Sequence, residues 1–179
     1  YKISREAQDI FAFHSNMKAV NAIEKGLFKE EIISYDLTET YLDENENMQT
    51  RTLSIEKDEG PREPNLEKIK SLSPAFIEDG TITAATSSPI SIGAAAILVT
   101  SERFAKENNL DSRATIKARS VAGVHWDRMG MGPLPATEKA LSKSNLKIDD
   151  IQSIELNEAF AAQALYVIRK GNWDIEKIN

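Results

Sequence analysis

Cysteine is absent from the 179 residues of this sequence. Its absence excludes disulfide bonds, thiolate metal sites and a cysteine nucleophile within this chain. No run of about 18 apolar residues is present, so no membrane-spanning helix is predicted. Acidic residues outnumber basic ones, with 28 Asp and Glu and 22 Lys and Arg, and the formal net charge is −6. That balance argues against nucleic acid as a partner, because nucleic-acid binders usually carry a basic patch.

Two common kinds of site also lack their sequence signatures. Neither a Walker A loop nor a GxGxxG motif is present, and both motifs mark phosphate-binding turns. Histidine is scarce, and His14 and His125 have no partner at the spacing typical of metal ligands. We therefore predict no metal site, and we expect both histidines to be surface or partly packed residues.

The first 80 residues predict an irregular α+β region. Ser4 is a suitable N-cap, and the apolar residues after it recur at helical spacing until Gly26, which is a natural helix stop. The elements expected here are an amphipathic helix at 5–25, short β-prone runs at 31–35 and 52–56, and a helix at 66–72. Residues 36–60 are polar and charged, and we expect a solvated loop at 38–47.

After Gly80 the sequence becomes small, apolar and nearly uncharged, and then strand patterns alternate with helix patterns. Alternation of this kind predicts a layered α/β sheet with right-handed crossovers. The first of the strands is expected to be buried on both faces. The elements expected are strands at 94–100, 114–124 and 151–156 and helices at 102–108, 133–143 and 158–170.

Three segments carry candidate chemistry, each with a structural alternative. Arg62 lies between two prolines, either as part of a charged surface loop or as a cation suited to a phosphate. Ser87 and Ser88 lie in a run of small residues, which allows tight strand packing or close approach of a ligand. Asn157 follows a predicted strand where a helix begins, so it is either an N-cap or an amide that holds a water or an oxyanion.

Six blocks, taken together and in order, resemble the thiolase family, and most of all the bacterial 3-ketoacyl-CoA thiolases. The resemblance covers essentially the whole chain. It implies an acetyl-CoA acyltransferase that cleaves 3-ketoacyl-CoA with coenzyme A, as in fatty-acid β-oxidation, or runs the reverse Claisen condensation. Coenzyme A and acyl-CoA would be substrates, with no resident cofactor. The blocks are SREAQDIFAFHSNMKAVNAIEKGLFKEEI, DEGPR with LEKIKSLSPAF, TITAATSSPISIGAAAILVTSERFAKE, VAGV, MGMGPLPATEKAL and IELNEAFAAQAL.

The resemblance also implies roles for individual residues. Asn157 matches the asparagine of the family's NEAF motif, which holds a water in an oxyanion hole with a histidine as its partner. It is the catalytic residue expected here. The positions that match coenzyme-A-binding residues are Arg62 at the nucleotide end, Ser88 at the pantetheine arm, and Phe76, Met129, Ala159 and Phe160 along the pantetheine tunnel and acyl site.

The implied fold is a thiolase-like α/β architecture of two similar βαβαβ halves with an inserted loop domain. Residues 1–80 would be part of the α+β loop domain, and 81–179 the first part of the C-terminal half. We expect an N-terminal half and a final segment outside this sequence, with both reactive cysteines and the histidine of a G-H-P motif. A homodimer or homotetramer in the cytoplasm is expected, with mitochondria or peroxisomes as the alternative location.

Three positions depart from the family pattern and affect the fine geometry of its loops rather than the family assignment. Ala85 stands where the family usually has glycine, Ile92 stands where it has aspartate, and His125–Trp126 replace an Asp-Pro pair. The Ile92 change and the absence of cysteine leave the alternative of a non-catalytic thiolase relic that binds acyl-CoA or a partner protein.

Overall fold

The computed structural model describes residues 1–179 as a mixture of helices, one hairpin and extended segments. The helices are α1 (Arg5–Glu24), α2 (Leu66–Lys70), α3 (Glu102–Glu107), α4 (Pro133–Ser144) and α5 (Ala161–Gly171). The strands are β1 (Tyr35–Leu42) and β2 (Met48–Ile55), and single 3₁₀ turns lie at Ala84–Thr86, Trp126–Met131, Ile148–Asp150 and Ile175–Lys177.

The predicted first helix is confirmed as α1, but its buried face differs from the one expected. Ser4 caps it as predicted, since its hydroxyl accepts a hydrogen bond from the backbone N–H of Ala7 at 3.2 Å. The most buried positions are Gln8, Asp9 and Ala12, whereas the apolar Ile10 is exposed. The helix therefore packs a polar and small-residue face against the rest of the chain.

Arg5 fixes the start of α1 to the end of α2. Its guanidinium pairs with Asp9 at 2.9 Å and donates to the carbonyls of Ile69, Lys70 and Leu72. The Ile69 and Lys70 carbonyls lie in the last turn of α2, and the Leu72 carbonyl lies two residues beyond its end. The Arg5 guanidinium thus binds the buried Asp9 carboxylate and three backbone carbonyls at once, and these contacts fix the orientation of α1 relative to α2.

The segment expected to be a solvated loop at 38–47 forms part of an antiparallel hairpin, in which only 43–47 is loop. Tyr35 pairs with Ile55 and Leu42 pairs with Met48 at the two ends of the ladder. The strand run predicted at 52–56 is confirmed as the second half of β2, whereas the run predicted at 31–35 shares only Tyr35 with β1. Threonine, tyrosine and leucine in this segment have the β propensity that its many charged residues mask.

Asp43 gives the hairpin loop a pH dependence. Its carboxylate accepts hydrogen bonds from the backbone N–H groups of Asn47 and Asn45, each at 2.9 Å, and from the amide of Gln49 at 3.0 Å. The Asn47 bond first and the Gln49 bond second hold the pKa of Asp43 below its usual range. Because folding favours the charged form, the stabilisation is present at neutral pH and is lost as the pH falls through this lowered pKa.

We therefore expect the Asp43 carboxyl carbon to titrate, in an NMR experiment, with a midpoint below that of an ordinary aspartate. The Asn45 and Asn47 amide signals should follow the same midpoint. An Asp43→Asn variant serves as the control and should abolish that transition. A midpoint at or above the ordinary aspartate value would contradict the loop geometry.

The three strands predicted after residue 80, the first of them as a buried strand, do not form a sheet in this chain. Residues 94–100 are extended but exposed, with Ile97 at 88% exposure, and 114–124 lacks strand pairing. Only 151–156 takes part in pairing, through a single parallel bridge between Ile154 and Ile178. A strand requires a neighbour that pairs with its backbone, and no other segment pairs with the first two.

The predicted helices of this half are confirmed, although α5 begins three residues late. Its N-cap is Phe160, so the chain from 157 to 160 stays extended rather than helical. The interior face of α5 supplies most of the buried apolar core. None of the helices has the length and apolar character needed to cross a membrane. The buried residues of α5 are Ala161, Ala164, Leu165, Val167 and Ile168.

Candidate functional site

Three segments of the chain meet at a groove of about 300 Å³. The first is the middle of α1. The second is the small-residue run from 85 to 89. The third is the segment that contains Asn157 and leads into α5. The groove therefore joins two of the three segments that carried candidate chemistry in the sequence.

The small-residue run is held rigidly on one side of the groove. Thr83 and Thr86 are buried, and the Thr83 backbone N–H donates to the Thr86 hydroxyl at 2.8 Å. Ser87 pairs with Phe160 in an antiparallel bridge, and the Ser88 N–H donates to the Ala159 carbonyl at 3.0 Å. These bonds fix Ser88 next to the segment that carries Asn157.

Asn157 lines the groove and has an exposed side chain. It is not a helix N-cap, because α5 begins at Ala161 and its N-cap is Phe160. No other side chain or backbone group of the chain forms a hydrogen bond with the Asn157 amide. Of the two interpretations left open by the sequence, the cap is excluded, and the amide is available to a ligand or a water in the groove.

Two predicted apolar positions meet beside this segment. The rings of Phe76 and Phe160 pack edge to face, with centroids 6.0 Å apart and an interplanar angle of 76°. Ala159, between Phe160 and the groove residues, contributes its carbonyl to Ser88. Asn157, Ser88, Ala159, Phe160 and Phe76 thus lie on neighbouring segments.

Arg62 and Met129 do not join this group. Arg62 is exposed and forms no ion pair or hydrogen bond with the rest of the chain. Met129 lies in the 3₁₀ turn at Trp126–Met131, which packs against α5, and its side chain is 76% exposed. Their roles stay predictions.

The two histidines are exposed, as predicted, and neither lines the groove. His14 is exposed and packs edge to face against Phe13. The Nδ1 of His125 lies 2.6 Å from an Asp127 carboxylate oxygen on the surface. Neither histidine belongs to a group of three or more His, Cys, Asp or Glu side chains that could hold a metal ion.

Two groove residues were missed by the sequence reasoning. The Ser15 hydroxyl of α1 donates to the Glu158 carboxylate at 2.7 Å, and both residues line the groove with Asn157. A signal was present, because Gln8, Ala12 and Ser15 repeat at helical spacing and mark a polar face. The apolar periodicity of the helix drew attention to a different face.

Family models match nearly the whole chain. The model described as "Thiolase, N-terminal domain" matches residues 1–103, and the model described as "Thiolase, C-terminal domain" matches residues 110–179. Together, the two models cover all three segments that form the groove.

Relatives and solved structures agree with these models. A probable acetyl-CoA acyltransferase of Staphylococcus aureus is 43% identical over the whole chain, which spans 44% of that protein. The rat peroxisomal 3-ketoacyl-CoA thiolase B is 42% identical over the whole chain, which spans 42% of it. The crystal structure of the Bacillus anthracis acetyl-CoA acetyltransferase matches 100% of this chain, which spans 43% of that structure, at a TM-score of 0.92 and 39% identity.

The chain thus spans less than half the length of these relatives, and within that span its fold is the thiolase α/β fold. The predicted fold class is confirmed even though the strands of its second half lack their neighbours here. Because two family models and a closely superposable structure agree along the whole chain, the chain belongs to the thiolase family.

Proposed function

We propose that this chain is the coenzyme-A-binding middle of a longer thiolase, which breaks the carbon–carbon bond of a 3-ketoacyl group and transfers the released acyl group to the thiol of coenzyme A. The reaction would convert 3-ketoacyl-CoA and coenzyme A into acetyl-CoA and a shortened acyl-CoA, or run in the reverse direction. Residues 1–80 would belong to the loop domain and 81–179 to the C-terminal half. The observation that carries the proposal is the unpartnered Asn157 amide in a groove beside Ser88.

The chemistry needs a group that stabilises negative charge on a thioester oxygen. Hydrogen-bond donors placed in advance at such an oxygen contribute about 3–4 kcal/mol each. Asn157 would hold a water that donates to this oxygen, with a histidine from another segment as its partner. The acyl-accepting cysteine would also come from outside these residues, since the chain contains none.

The apolar residues next to Asn157 would bind the pantetheine arm of the acyl-CoA substrate. Phe76, Phe160 and Ala159 would line the pantetheine tunnel, and Ser88 would contact the pantetheine amides. Met129 would join them at the acyl end. The supporting observation is that Phe76 and Ser88 both contact the segment that follows Asn157, Phe76 through the ring of Phe160 and Ser88 through the carbonyl of Ala159.

Arg62 would bind the phosphates of coenzyme A. We expect Arg62→Ala in the full-length protein to raise the KM for coenzyme A about tenfold with little change in kcat, because a charge-assisted hydrogen bond contributes about 1.5–3 kcal/mol. Steady-state kinetics with coenzyme A as the varied substrate checks this. Arg103→Ala, on the exposed face of α3, is the matched control and should leave KM unchanged. An unchanged KM in Arg62→Ala would refute the role.

Assembly and location follow the same proposal. We propose a homodimer or homotetramer, and a cytoplasmic location with a mitochondrial or peroxisomal alternative. The alternative is supported by the peroxisomal name of the rat relative.

A second candidate is a non-catalytic relic that binds acyl-CoA or a protein partner. Two observations favour it: the chain has no cysteine, and Ile92 replaces the family's aspartate. The sequence of the gene upstream of Tyr1 separates the two candidates. A cysteine-containing nucleophile motif there would eliminate the relic, and a gene that continues upstream without one would eliminate the enzyme.

A further inference from the structure

Ser15 and Glu158 form a hydrogen bond that joins segments 143 residues apart. The serine hydroxyl donates to the carboxylate at 2.7 Å, and both side chains are half-buried in the wall of the groove. Hydrogen bonds to a carboxylate are shorter and stronger than neutral ones. We propose that this pair is the positioning contact that holds Asn157 in place for its work on the thioester oxygen, an inference that rests on the proposed function.

Asn157 lacks the usual means by which a catalytic side chain is fixed. It precedes α5 by four residues and lies outside any strand. Its backbone neighbours are tied by two bonds, from the Leu156 N–H to the Asn179 carbonyl and from the Ser88 N–H to the Ala159 carbonyl, each at 3.0 Å. Between residues 157 and 160, the Ser15–Glu158 contact is the only side-chain hydrogen bond, so it is the restraint closest to the amide.

The helix that provides Ser15 is well suited to act as an anchor. α1 has 20 residues, is capped by Ser4 and is fixed to α2 through Arg5. Gln8, fully buried, donates to the Thr81 hydroxyl at 3.1 Å, and α1 also packs against α5. An anchor on a rigid element holds a reacting group to a fraction of an ångström, and a displacement of about 1 Å can reduce a rate by about 10²-fold.

The kinetic test uses the full-length protein and separates positioning from binding. We expect Ser15→Ala to lower kcat about tenfold while the KM for coenzyme A changes less than about twofold. Ser15→Thr keeps the hydroxyl and should recover most of kcat. Glu158→Ala should match Ser15→Ala, and the double variant should be no worse than either single one, because both changes remove the same contact.

Hydrogen–deuterium exchange tests the contact without relying on activity. In Ser15→Ala, amides of residues 157–161 should exchange about fivefold faster, as expected for the loss of one hydrogen bond. Ser144→Ala is the control, since Ser144 bonds only to carbonyls of its own helix. It should leave kcat and these amides unchanged.

The kinetic and hydrogen–deuterium exchange experiments together distinguish failure of this inference from failure of the proposed function. A wild-type protein that forms acetyl-CoA, with normal kcat and normal exchange in Ser15→Ala, would overturn the positioning role alone. A wild-type protein without activity would overturn the proposed function, and exchange at 157–161 would still decide whether Ser15 restrains this segment. Equal effects of Ser15→Ala and Ser15→Thr would also overturn the inference.

Discussion

Replacing Asn157 with alanine in the full-length protein is expected to lower kcat for thiolysis by about 10²–10³-fold. The KM for coenzyme A should change less than about twofold. The reason is that the amide would act on charge that develops in the transition state, whereas the substrate's ground state is bound by other groups. Kinetics with both substrates varied measures the split.

The matched control for this prediction is Asn21→Ala. Asn21 is an exposed asparagine of α1 that does not line the groove, so both constants should stay at the wild-type values. Circular dichroism of both variants verifies folding. Equal losses in kcat and in coenzyme A affinity for Asn157→Ala would make Asn157 a structural residue and would remove the main support for the proposed site.

Replacing Leu165 with alanine is expected to reduce the free energy of unfolding by about 2–5 kcal/mol. Leu165 is 6% exposed on the inner face of α5, and the truncation removes buried methyl groups and leaves a cavity. Because α5 follows the Asn157 segment directly and packs against α1, loss of its packing should also weaken the groove. Urea unfolding followed by circular dichroism measures the change.

Leu42→Ala provides the control for the same substitution at the surface. Leu42 is 62% exposed at the end of β1, so its replacement should change the free energy of unfolding by no more than about 0.5 kcal/mol. Similar losses for both leucines would mean that α5 is not the core of this part of the protein.

Helix boundaries could be predicted from the sequence where local chemistry determines them. Ser4 and Ser101 accept hydrogen bonds from the first turns of α1 and α3, and Pro133 opens α4. These signals act within a few residues and do not depend on the rest of the fold. The start of α5 could not be found in this way, because Phe160 pairs with Ser87, a residue far away in the sequence.

The strands were harder to predict because their partners are not local. Residues 94–100 have the composition of a buried strand but no neighbour within this chain, so they remain exposed. The groove residues show the same difference between local and non-local information. Asn157 and Ser88 lie in motifs that the sequence displays, whereas the contact between Ser15 and Glu158 depends on the fold, which brings α1 next to the Asn157 segment.

We propose above that the protein containing these residues is an active thiolase. The most direct test is the formation of acetyl-CoA from acetoacetyl-CoA and coenzyme A by the purified full-length protein. We expect two molecules of acetyl-CoA for each acetoacetyl-CoA consumed, with loss of activity in Asn157→Ala. A folded protein that binds coenzyme A but forms no acetyl-CoA would contradict it.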